Sequence, residues 1–134
     1  MPKQGPDQTQ IQRILWIALT ISILIYGVVL NALGKAQYLA LPEETLSQWE
    51  LLSVAMNCLV LVTFALNKFV ITSIKEPQKR FTLYIICWSL NEMVAMAGFM
   101  VTFMSASSNG YYFFLNAFTA IMGNIATFPR DPAR

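Results

Sequence analysis

Apolar residues in this chain come in four long runs separated by short polar punctuation. The first extends from Ile14 to Gly34 without a charge, and Lys35 ends it. At about 1.5 Å per residue, such a run covers the ~30 Å hydrocarbon core of a bilayer as a helix. The second begins after Glu50 and runs from Leu51 to Ile74, interrupted near its far end by Lys68, whose long stem can carry the ammonium out to the headgroups. The third, Phe81 to Ser105, follows Arg80; the fourth, Tyr111 to Phe128, follows a turn signal at Ser108 to Gly110 and is closed by Pro129 and Arg130. The pattern predicts an all-α fold, an integral membrane four-helix bundle with antiparallel up-down-up-down helices. On this reading residues 1–13 are a polar N-terminus, 14–128 the transmembrane domain and 129–134 a C-terminal tail.

Composition agrees with that class. Of 134 residues, 56% are hydrophobic and only 12% charged, half the charged fraction usual in water-soluble domains. Four spans leave no room for a separate soluble catalytic module. A cleaved signal peptide is the other reading of the first run, since Ala32 and Gly34 offer small residues for cleavage. The run nevertheless exceeds the roughly 7–15 residues of an ordinary signal core, so it is expected to be retained as a helix. With four crossings, Lys3, Arg13, Lys68, Lys75, Lys79, Arg80, Arg130 and Arg134 fall on one side and only Lys35 on the other. Positive residues favour the cytoplasm, so both termini are expected there, in a bacterial-type inner (plasma) membrane. The 35-to-50 loop, with Glu43, Glu44 and Glu50, would face outward. Trp16, Trp49, Tyr111 and Tyr112 sit near span ends, where aromatic rings favour the interface.

Glu92 changes the picture, because it is the sole acid inside any run and lies near the centre of the third. A charge at the bilayer centre costs about 2.5 kcal/mol or more, which makes an intramembrane acid a functional candidate by default. Laid out by helical rise, Tyr26, Asn57 and Asn124 come to nearly the same depth, one polar group per helix. They are expected to gather around Glu92 in the bundle interior and hydrogen-bond it. Removal from water disfavours the charged form, and no buried cation offsets this, so a neutral acid is expected. Asn91 projects about 100° away and is expected to contact a different helix. In the fourth run Asn116, Ala120, Gly123, Asn124 and Thr127 recur at helical spacing, which predicts a close helix contact.

Other chemistry is thin. There is no histidine, so the commonest general base and metal ligand is missing. Cys58 and Cys87 form no C-x-x-C and read as packing residues. Met93, Met96, Met100 and Met104 make one helical stripe; thioethers can bind Cu(I), but adaptable packing against lipid or a partner helix is the better reading. No cofactor, metal site, enzymatic activity or nucleic-acid binding is expected, the basic residues being explained by topology and anionic lipid.

Leu90 to Phe99 reads L-N-E-M-V-A-M-A-G-F, and its E-x-x-A-x-x-G resembles the ion-carrying helix of rotary ATPase proteolipid (c) subunits. The resemblance covers these ten residues and implies that Glu92 takes up and releases an ion. Two roles are therefore expected from sequence. In one, a proton- or ion-coupled transporter or membrane-complex subunit uses Glu92 as its proton/ion site. In the other, a non-enzymatic scaffold or assembly subunit uses Glu92 as a structural hydrogen-bonding group. The expected partners are the lipid bilayer and either further copies of the chain or other membrane subunits.

Overall fold

The computed structural model describes residues 8–35, 37, 47–104 and 110–129. Among these, the regular structure is helical and forms four segments. Helix α1 spans Gln8–Ala32, α2 Gln48–Ser73, α3 Pro77–Met104 and α4 Tyr111–Ala126. The first three are long and apolar enough to cross a membrane.

Local signals set most of the boundaries. Helix α1 starts six residues before the apolar run, because Gln8 to Arg13 contains no helix breaker. It stops where Gly34 takes φ +74°. There the Gly34 N–H donates to the Asn31 carbonyl (3.0 Å) and the Lys35 N–H to the Leu30 carbonyl (2.9 Å), a Schellman closure that requires a residue at ease in the left-handed region. Helix α2 is capped reciprocally: the Glu50 N–H donates to Ser47 Oγ, and the Ser47 N–H to Glu50 Oε2 (2.6 Å). The true start is therefore Gln48 rather than Leu51. Pro77 opens α3, where its missing N–H costs nothing.

Two helices differ in detail from the runs read in the sequence. The second is not a uniform rod: α-helix gives way to a turn at Met56 and Asn57, resumes over Cys58–Ala65, widens to a π turn over Leu66–Val70 and tightens to a 3-10 turn over Ile71–Ser73. The cause at Asn57 is its own side chain, whose Nδ2 donates to the Val54 carbonyl (2.9 Å) while nearby backbone bonds shorten to i→i−3. The fourth helix ends at Ala126 instead of Phe128, giving 16 residues. That is about 24 Å, short of a ~30 Å core. Pro129 disfavours a helical Phe128, and the Thr127 hydroxyl donates to the Gly123 carbonyl at the frayed end (2.8 Å). The turn expected at Ser108 and Asn109, the acids Glu43 and Glu44, and the tail from Arg130 lie outside the described residues.

The interior combines an apolar core, built around Ile23, Leu30, Val60, Val94 and Trp88, with a set of buried polar groups, while other apolar residues lie outside. Ser53, Thr63, Asn91, Thr102, Asn116, Asn124 and Thr127 are all buried. By contrast Ile14, Ile17, Ile21, Leu24, Ile25 and Val28 of α1 lie exposed along one face, as do Phe114, Phe118, Met122 and Ile125 of α4. The four methionines of α3 are exposed too, opposite its packed face. Helices α3 and α4 approach most closely at Gly98, where an added Cβ would fall 2.8 Å from the Tyr112 carbonyl oxygen. Asn116, Ala120, Gly123, Asn124 and Thr127 all face inward, as their spacing predicted.

Candidate functional site

Glu92 and Asn91 are adjacent on α3 and point to different neighbours. The helix turns about 100° between them, so Asn91 enters the centre while Glu92 sits on the flank that meets α1. From α1, Ser22 and Tyr26 reach it together because residues four apart share a helix face. Ser22 Oγ lies 2.5 Å and the Tyr26 hydroxyl 2.8 Å from the same oxygen, Glu92 Oε1. Ser22 Oγ also lies 2.6 Å from the Leu19 carbonyl oxygen of its own helix. The second carboxyl oxygen, Oε2, is buried and has no hydrogen-bond partner. The Tyr26 ring rests against Phe99, two turns along α3 from Glu92, with centroids 5.1 Å apart. Arg80 is more than three turns away on α3, too far to neutralise the acid directly.

Of the residues expected around Glu92, the structure brings only Tyr26 to it. Asn57 instead donates to Asn116 Oδ1 (2.9 Å) and accepts from the Thr119 hydroxyl. Asn116 completes that group by donating to Ser53 Oγ (2.9 Å) and to the Val94 carbonyl (3.0 Å). Asn124 belongs to a second group, accepting from Asn91 Nδ2 (2.9 Å) and donating to Thr20 Oγ1 (3.2 Å). Thr63 closes this one by donating to Asn91 Oδ1 (3.1 Å). Rotation about each helix axis sends the side chains of Asn57 and Asn124 elsewhere. Ser22 was missed, although its i, i+4 spacing to Tyr26 is visible in the sequence.

The asparagine groups have a clear structural consequence. The chain Thr63, Asn91, Asn124, Thr20 passes through α2, α3, α4 and α1 in turn, tying all four helices by neutral hydrogen bonds. Low local polarity strengthens such bonds and makes a missing partner costly. A third set serves the end of α4. Trp16 Nε1 donates to the Asn124 carbonyl (2.7 Å), Asn67 Nδ2 to that of Ala126 (2.8 Å) and Trp88 Nε1 to that of Thr127 (3.1 Å). Each of the other helices thus supplies one N–H to carbonyls that have no partner in their own helix or only a strained one.

Among the described residues, no group of three or more His, Cys, Asp or Glu gathers in a way that could hold a metal. Cys87 is buried beside Tyr84 and Trp88, and Cys58 is exposed. A depression of about 450 Å³ lies between the first residues of α1 and α3, lined by Gln8, Glu76, Pro77, Gln78 and Phe81. It is about 16 Å along α3 from Glu92 and contributes nothing to that carboxyl. Comparison with family models, with curated proteins and with solved structures yields no match.

Proposed function

We propose that this chain is a small multi-pass membrane protein with an up-down-up-down bundle, and that Glu92 is the proton-exchanging carboxyl of an ion-coupled transporter or membrane-complex subunit. One observation carries the reading: Glu92 stands apart from the amide and hydroxyl groups that tie the helices together, with one oxygen held by Ser22 and Tyr26 and the other buried without a partner. Helix pairing is already served by asparagine and threonine. A carboxyl at mid-membrane costs more than those neutral groups, and the property it adds is a proton that can be released. The excess of basic residues toward the two ends of the chain supports an orientation with both ends on the cytoplasmic side of a bacterial-type inner membrane.

Carbodiimide reacts with protonated carboxyls in apolar surroundings, so membranes containing the protein should be labelled at Glu92. Glu92→Gln should abolish both labelling and any proton flux into proteoliposomes, with protein level unchanged. An unlabelled Glu92, or flux identical in the Gln variant, removes the reading. A scaffold role is favoured by a different observation, the closed hydrogen bonding of the asparagine groups. In that case Glu92→Gln retains every partner that co-purifies in mild detergent, and no flux is seen with either form.

A further inference from the structure

The oxygens around Glu92 carry a proton count. Ser22 has a single hydroxyl proton, yet its Oγ lies at hydrogen-bond distance from two oxygens, 2.6 Å from the Leu19 carbonyl and 2.5 Å from Glu92 Oε1. If the carboxyl were ionised, that proton could bridge only one of the two contacts. With a proton on Oε1, the acid can donate to Ser22 Oγ, Ser22 to the Leu19 carbonyl, and Tyr26 to Oε1 across 2.8 Å. Each short contact then has one proton. Oε2 becomes a neutral carbonyl oxygen, whose burial without a partner costs far less than that of a bare carboxylate oxygen.

We infer that Ser22 is the positioning residue for the Glu92 proton, a two-position hydroxyl that accepts from the protonated acid and donates to the ionised one. This rests on the proton-exchange reading of Glu92 and assigns the partner whose hydroxyl can follow the exchange. On release, the O–H bond of the acid breaks, the proton passes to a water molecule as hydronium, and the electron pair stays on Oε1. The Ser22 hydroxyl then turns from the Leu19 carbonyl to Oε1, so the carboxylate keeps two hydroxyl donors, Ser22 and Tyr26. The Leu19 carbonyl gives up only an extra bond, since a carbonyl inside a helix also accepts from the N–H four residues on. Reprotonation reverses each movement. No charged side chain has to move.

The test is infrared difference spectroscopy of the full-length protein in lipid, reading the carbonyl stretch of a protonated carboxylic acid. The spectrum of the native protein minus that of Glu92→Gln should contain one such band. Ser22→Ala removes the acceptor of the acid proton and should shift the band to higher frequency, while Ser22→Thr should restore it. Tyr26→Phe should move it less, because Tyr26 donates to the acid's hydroxyl oxygen and does not accept its proton. Absence of the band, or a band unmoved in Ser22→Ala, overturns the assignment. A Ser22-sensitive band in a protein whose Glu92 resists carbodiimide supports the hydroxyl arrangement while removing the exchange role.

Discussion

Close approach of α3 to α4 depends on single hydrogens in place of side chains. A Cβ at Gly98 would lie 2.7 Å from Asn116 Cβ, 2.8 Å from the Tyr112 oxygen and 3.0 Å from Phe113 Cα, so backbone would have to move. Gly98→Ala should therefore destabilise the protein by about 1–3 kcal/mol, the usual cost of overpacking a fitted core, as read from thermal unfolding in detergent. At Gly27 the nearest obstacle is the edge of the Phe113 ring at 3.2 Å, which can yield, so Gly27→Ala should cost clearly less. Equal effects would mean that the helices do not meet as closely as described. Gly123→Ala acts differently, since its Cβ would strike the Asn91 amide at 2.8 Å and break the bond to Asn124. Residue by residue, the sequence revealed which groups were chemically costly but not which way they turned. Tyr26 meets Glu92 as expected; Asn57 and Asn124, expected at the same depth, bond elsewhere. Helical rise fixes depth directly, whereas azimuth depends on how each helix is rotated against three others, and a kink such as that at Asn57 changes the rotation of everything after it.

Helix α4 is the element whose existence was plain in the sequence and whose support was not. Its apolar run and its small-residue stripe are both visible, but length alone gave no reason for the chain to stop at Ala126. The end that Pro129 sets is supported by Trp16, read at first as an interface aromatic, and by Asn67 and Trp88, to which the sequence reading gave no role. Hydropathy likewise passed over the Ser47-to-Glu50 capping box, because averaging along a span hides a local exchange of hydrogen bonds. The end of α4 offers a direct check. Trp88 is fully buried and donates to the Thr127 carbonyl, so Trp88→Phe keeps most of the ring packing and deletes the donor. A buried acceptor left without a partner costs about 1–3 kcal/mol. Thermal stability should fall by that amount, and amide exchange should quicken in the last turn of α4 while the first turn, around Phe114, stays as protected as before. Uniform loosening along α4 would show that Trp88 acts by bulk alone. Trp16→Phe should give a smaller effect, since Trp16 is only half-buried and its ring also meets Phe128 edge-on at 4.9 Å.

At the scale of the whole molecule, the distribution of polarity separates a membrane environment from an aqueous one. A water-soluble bundle turns its apolar stripes inward and its amides outward; here Asn91, Asn116 and Asn124 are buried beside the apolar core, and α1 presents an almost unbroken aliphatic face to its surroundings. Ile21 lies near the middle of α1 on that face and is 48% exposed, while Gln10 is exposed near the helix start. In water, Ile21→Asp would be a surface substitution with an effect within about 0.5 kcal/mol, and Gln10→Asp would match it. In a bilayer the two diverge with depth. An aspartate at the centre of a spanning helix costs about 2.5–3.5 kcal/mol of insertion free energy, a cost that largely vanishes at the membrane edge. Ile21→Asp should therefore sharply lower the fraction of protein retained in membranes after alkaline extraction, and Gln10→Asp should leave it unchanged. The contrast with Glu92 sharpens the test. Both positions lie near the middle of their helices, but Glu92 is turned toward two hydroxyls on a neighbouring helix, whereas an aspartate at position 21 would have none on its open face. If Ile21→Asp is retained as fully as Gln10→Asp, the aliphatic face of α1 does not lie against acyl chains, and a carboxyl at position 92 loses the apolar setting that makes its proton chemically distinctive.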